Sequence, residues 1–140
     1  MYAIVREPID PRALETAIGA HCGRYGGVAT FLGTVRDRAA DGRPVVALEY
    51  EAFEPMALAE FERIAAEAGE RFGDVALAIV HRVGDVAAGE ISVAVVVAAA
   101  HRRAAFAACE YAIDALKSRA AIWKKERYGD GSGNWLPGMP

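Results

Sequence analysis

Residues 75–99 read VALAIVHRV, then GDVAAGE, then ISVAVVVAA, and this stretch decides the fold. Val75–Val83 and Ile91–Ala99 are two runs rich in β-branched side chains, and each reads as a strand. Gly84-Asp85 and Gly89 between them predict a turn, so the two runs form an antiparallel pair with an elaborated connection. Helical patterns flank the pair on both sides. Upstream, Glu54-Pro55 starts a helix with the apolar stripe Leu58, Phe61, Ile64, Ala65, Ala68 and Phe72, closed by Gly73. Downstream, a helix begins near His101 and turns Phe106, Cys109, Ile113 and Leu116 inward.

Further out, Tyr2–Val5 reads as a short opening strand. Asp10-Pro11 supplies an N-cap and a proline at the first helical position, and Leu14, Ile18 and Cys22 predict a helix to about Cys22, stopped at Gly23. Gly26-Gly27 opens a strand running to Val35. A second strand, Val45–Glu51, puts Val46, Leu48 and Tyr50 on one face and Val45, Ala47 and Glu49 on the other. The polar run Asp37–Pro44 between them predicts an exposed loop. After Lys117 the helical pattern weakens and Ala121–Lys124 reads as extended. Gly129–Gly133 is a flexible tail before the short apolar segment Asn134-Trp135-Leu136. This order predicts one α+β domain over residues 1–140, with a mainly antiparallel sheet and three helices. A ferredoxin-like core is contained in the same order and is the alternative.

Composition narrows the function. The chain has 140 residues, 54% of them hydrophobic, and a net charge of -3, so no global field draws it to nucleic acid or an anionic membrane. No apolar run reaches the length of a membrane span. The N-terminus, MYAIVREPIDP, lacks the pattern of a signal peptide, and a cytoplasmic protein is expected. Cys22 and Cys109 form no CxxC pattern and read as free thiols, Cys109 in the core. His21, His81 and His101 lack metal-ligand spacing, and His81 reads as a half-buried structural histidine. Neither a metal site nor a nucleotide-cofactor fingerprint is predicted.

The residues that could carry chemistry are cations placed where elements end. Lys117 and Lys124 flank Ile122-Trp123, which favour burial, and a lysine held beside such residues is partly desolvated. Its ammonium can then serve as a fixed charge or as a proton donor, and its amine as a base. Arg36 ends a strand next to Gly33, where backbone can be approached closely. His101-Arg102-Arg103 opens a helix whose free N–H groups favour an anion such as phosphate. Glu49, Glu51 and Glu54 form a carboxylate cluster that reads as a solvated face. Residue types alone leave both a noncatalytic binding module and an enzyme open.

Five segments sharpen this. Gly27–Asp37 (GVATFLGTVRD), Leu48–Glu51 with Pro55-Met56, Ile79–Gly84 (IVHRVG), Ala100–Arg102, and Leu116-Lys117 through Trp123–Glu126 together resemble the catalytic subunit of the molybdopterin synthase family. The resemblance implies an α/β-hammerhead type of fold. It also implies sulfurtransferase activity: sulfur arrives as a thiocarboxylate on the C-terminal glycine of a small ubiquitin-like sulfur-carrier subunit. The acceptor is cyclic pyranopterin monophosphate, which becomes the molybdopterin dithiolene. A partner that carries the sulfur accounts for the lack of a catalytic cysteine. Lys117 and Lys124 match the family's essential lysines, with proton transfer and stabilisation of an acyl intermediate as their roles. Arg36, His101 and Arg102 match substrate-contacting positions, and Thr34, Val35, Lys125 and Glu126 lie in the same segments and are expected to border the substrate. The family implies a homodimer within a heterotetramer, which leaves His101 and Arg102 open to act either within their own subunit or across the dimer interface. Two departures are visible: Arg38-Ala39-Ala40 stands where relatives often carry a histidine, and Leu136–Pro140 is short where relatives often continue with charged residues.

Overall fold

The structure is a computed structural model that describes residues 1–137. Two four-stranded sheets are packed with three helices, in the order β1 (Tyr2–Val5), α1 (Pro11–Ala17), β2 (Gly27–Thr34), β3 (Val45–Ala52), α2 (Glu54–Phe72), β4 (Val75–Arg82), β5 (Gly84–Ala87), β6 (Ile91–Ala99), α3 (Arg102–Arg119), β7 (Ile122–Tyr128) and β8 (Gly133–Trp135). The predicted antiparallel pair is β4 with β6, in register from Val75 opposite Ala99 to His81 opposite Val93. It forms the centre of the first sheet, ordered β1-β4-β6-β2, in which only β1 runs parallel to its neighbour. Strand alternation then divides its side chains between two layers. Leu77, Ile79, Val93, Val95 and Val97 pack under α2 and α3, whereas Ala78, Val80, Ala94 and Val96 meet Leu14 of α1.

The connection inside that pair is itself a strand. Gly84 and Gly89, at φ 85° and 88°, let the chain leave the first sheet and return to it. Between them β5 pairs with β3 in the second sheet, ordered β5-β3-β7-β8, and buries Val86 completely. Four residues carry too little pattern to be read as a strand. The extended segment after Lys117 is longer than expected, because β7 continues to Tyr128 along the whole of β3.

Four expectations are corrected by packing. The first helix stops at Ala17, because Leu14 and Ile18 already reach the sheet and Gly19 takes φ 69° to turn the chain away, leaving Cys22 exposed. Val46 is 50% exposed rather than sharing the face of Tyr50, since a register irregularity between Val45 and Ala47 reverses the alternation. Phe106 is 66% exposed: the stripe of α3 that meets the sheet is Ala105, Ala108, Ala112 and Leu116, whose small side chains bring the helix close and leave Phe106 outside. His81 is more buried than predicted, at 1% exposure. No helix among the described residues is long and apolar enough to cross a membrane.

The end of α3 is tied down by charge. Arg119 donates to both carboxylate oxygens of Glu67 at 2.6 and 2.9 Å and also to Glu60, while the Tyr111 hydroxyl donates to Glu67. This fork fixes α3 against α2 two residues beyond Lys117.

Candidate functional site

The helix-to-strand break after α3 sets the lysine geometry. Ala120 caps α3 in an extended conformation (φ -73°, ψ 140°), and the chain enters β7 at the fully buried Ile122. Lys117 therefore stands on the last helical turn and Lys124 on the strand. Both reach one cleft of about 180 Å³ lined by Thr34, Arg36, Arg38, Leu48, Tyr50, Ser92, Glu126 and Leu136, with Gly33 at its edge. Gly33 admits this packing because a Cβ there would lie 2.5 Å from Cγ1 of Val93. Its carbonyl accepts the Ser92 hydroxyl at 3.2 Å.

Four cations against one carboxylate make the cleft positive. Burial is the main reason the Lys124 pKa falls below the ordinary lysine value, with the charges of Lys117 and then Arg36 adding to the fall and Glu126 opposing it. Among the described residues neither lysine has an ion pair or a side-chain hydrogen bond, a state that leaves their charges available to a ligand. Beneath them, His81 meets Tyr50 edge-on at 4.8 Å between ring centres. Burial first, then the charges of Lys117 and Lys124, hold the His81 pKa down at about 4. The imidazole is thus neutral at pH 7, its Nδ1 donating to the Arg82 carbonyl at 2.7 Å. The floor of the cleft adds no positive charge.

Of the residues expected at the site, Lys117, Lys124, Thr34, Arg36 and Glu126 come together. Val35 is 3% exposed and supports the cleft from within rather than lining it. Lys125 points to the other face of β7, as alternation requires, and its ammonium lies 5.8 Å from the Trp135 ring centre. His101 and Arg102 open α3 at its far end, in a separate concavity with Arg103 and Phe106. They adjoin Gly27 at the start of β2, whereas the cleft lies at the end of β2, roughly 24 Å away along an eight-residue strand. Within one chain they are not part of the cleft.

Sequence reasoning gave no role to Tyr50, Ser92, Leu48 or Leu136 as lining residues, and Arg38 entered only as a departure. Tyr50 and Leu48 stood in a matching segment. Ser92 carried no signal beyond a polar residue inside an apolar strand. Gly138–Pro140, the rest of the short tail, lie outside the described residues.

Comparison with known proteins gives a consistent result. The sequence profile described as MoaE protein matches residues 4–119. The molybdopterin synthase catalytic subunit of Nostoc sp. is 49% identical over 112 residues, covering 79% of this chain and 67% of that protein. The molybdopterin synthase catalytic subunit of Pyrococcus abyssi is 41% identical over 136 residues, covering 97% and 90%. Among solved structures, molybdopterin synthase from Staphylococcus aureus superposes with a TM-score of 0.89 at 35% identity, covering 96% of this chain and 95% of that one.

Proposed function

The chain belongs to the MoaE protein family, and from that membership we propose that it is the catalytic subunit of a molybdopterin synthase, a sulfurtransferase acting on cyclic pyranopterin monophosphate. The observation that carries this reading is the convergence of Lys117, Lys124 and Arg36 on one cleft with a single carboxylate. Substrate phosphate and the partner's thiocarboxylate are both anions. The cleft offers both of them fixed positive charge, from exposed Arg36, Arg38 and Lys117 and from half-buried Lys124, whose partly desolvated ammonium acts more strongly than one in open water.

Each residue then has a role suited to its chemistry. Arg36 stays charged and binds the anion. Lys124, with its lowered pKa, is suited to give up and take back a proton, and Lys117 to stabilise negative charge that develops on the acyl carbon's oxygen when water releases the spent carrier. The small ubiquitin-like subunit supplies the sulfur, so no cysteine of this chain is required. Cys109 is buried and Cys22 lies away from the cleft, in agreement with that division of labour.

A homodimer would give His101 and Arg102 a part in the site. β2 is an edge strand, bonded only to β6, and exposes Val28 and Leu32 on one face. An antiparallel pairing of β2 with its copy about a two-fold axis would set Gly27 of one subunit near Thr34 of the other. His101 and Arg102 would then stand beside the partner's cleft.

Reconstitution with thiocarboxylated small subunit and cyclic pyranopterin monophosphate tests the assignment. Lys117→Ala and Lys124→Ala are each expected to lose about 100-fold or more in turnover, and full activity in both would refute their roles. Mixing Lys124→Ala with Arg102→Ala chains should restore part of the activity through hybrid dimers. Lack of complementation would refute the shared site.

A further inference from the structure

Glu126 is the carboxylate of the cleft, sharing it with Arg36, Arg38, Lys117 and Lys124. It stands two residues from Lys124 on the same face of β7, yet among the described residues it pairs with no cation. Its Oε1 accepts the Tyr128 hydroxyl at 2.9 Å instead. The Tyr128 oxygen in turn accepts a hydrogen bond from Asn134 Nδ2 at 3.2 Å. Asn134 lies opposite Glu126 in the β7–β8 register, and Tyr128 is 5% exposed with the Arg43 guanidinium 3.9 Å from its ring centre.

This chain of donors has one direction. Tyr128 has a single hydroxyl proton, and with Asn134 donating to its oxygen that proton goes to Glu126. A carboxylate free to turn at this position would pair with a neighbouring cation and neutralise part of the site. The groups around it are Lys124 on its own strand, Lys117 from α3, Arg36 and Arg38 after β2, Tyr50 from β3 and, in the adjoining concavity, Asp41 and Arg43 of the loop before β3.

We propose that Tyr128, oriented by Asn134, is a positioning residue that holds the Glu126 carboxylate off the cations of the cleft and so keeps them free for an anionic substrate. The inference rests on reading the cleft as an anion site. It adds a function for a side chain that lies outside the cleft wall: Tyr128 prevents the site from neutralising itself.

Tyr128→Phe tests this, because it removes only the hydroxyl and keeps the ring beneath Arg43. The lysines of the chain are Lys117, Lys124 and Lys125, so the full chain labelled with isotopic lysine reports each ammonium separately by NMR. In Tyr128→Phe the released Glu126 is expected to pair with Lys124 and shift its titration to higher pH, with a loss of affinity for inorganic phosphate. The double variant Tyr128→Phe/Glu126→Gln should abolish the upward shift and regain phosphate binding. A Lys124 titration that is unchanged or moves to lower pH in Tyr128→Phe overturns the proposal, as does a phosphate defect that the second substitution does not repair. If the unsubstituted chain takes up no phosphate, the anion reading of the cleft fails, and the Lys124 titration alone decides the role of Tyr128.

Discussion

Gly33→Ala isolates the one place where the core dictates the shape of the cleft. Gly33 lies opposite Val93 in the β2–β6 register, and an added Cβ would meet Val93 Cγ1 at 2.5 Å. Ordinary carbon contacts lie at roughly 3.5–4.0 Å, so the overlap is about 1 Å. Val93 is 3% exposed, and its branched side chain has few rotamers to escape into. Overpacking of this kind costs about 1–3 kcal/mol, offset by about 0.5–1 kcal/mol because alanine loses less chain freedom than glycine on folding. The net expectation is a loss of about 1–2 kcal/mol in urea unfolding, with weaker phosphate binding as β2 shifts beneath Thr34 and Arg36. Val93→Ala alone should cost about 2 kcal/mol through lost burial and a residual cavity. Combined, the two substitutions remove the overlap and partly refill the cavity, so the double variant should be at least as stable as Val93→Ala. Additive losses, or a Gly33→Ala chain as stable as the parent, would refute the argument that Val93 excludes a side chain here.

Two pH effects follow from groups outside the cleft wall. Bonding to Arg119 first, then to Tyr111, holds the Glu67 pKa at about 2, below its ordinary 4.5. Its contribution is therefore complete above pH 4.5 and is lost as pH falls toward 2; thermal melts of Glu67→Gln should differ from the parent at pH 7 and converge with it near pH 2.5, and a constant difference would exclude the ion pair as the cause. His81 is held at about 4 against an ordinary 6.5, so the unfolded chain binds its proton first and stability falls as pH drops through that window. The loss is on the order of 3 kcal/mol by pH 4, and His81→Phe should flatten the dependence of the urea midpoint between pH 6.5 and 4; an unchanged slope would show that another group titrates.

The parts of the fold legible in the sequence were those whose pattern outlasts a turn. β4, β6 and α2 each carry long apolar runs or stripes, and their pairing and caps were visible. What escaped is instructive in physical terms. β5 is only as long as its contact with β3 and takes its stability from burying Val86 between sheets, a tertiary effect with no local signature. Phe106 misled because size suggests burial, while α3 meets the sheet through alanines whose packing depends on backbone proximity. The bulge near Val46 reversed an alternation that a regular strand would have kept.

The cleft was partly legible for a different reason, which lies in the choice between two cations. Arginine fills every basic position of this chain except Lys117, Lys124 and Lys125. A guanidinium is always charged in proteins and binds anions by its fixed fork, and among the described residues ion pairs such as Arg119 with Glu67 are made by arginine and not by lysine. Lysine differs in being able to lose its proton when desolvated, and only at a site that needs that property is the exchange of arginine for lysine physically consequential. Lys124 stands in such a setting, half-buried and with its pKa lowered, and the exposed Lys117 shares its cleft from an element whose junction with β7 is fixed by buried Ile122 on one side and the Arg119 fork on the other. Lys125 is their neighbour by sequence but, facing Trp135 across the strand, lacks the setting that would make its amine useful in the cleft. Residue type thus marked the place, while the face of the strand, which only the pairing of β7 with β3 defines, separated the two lysines that share the cleft from the one that does not.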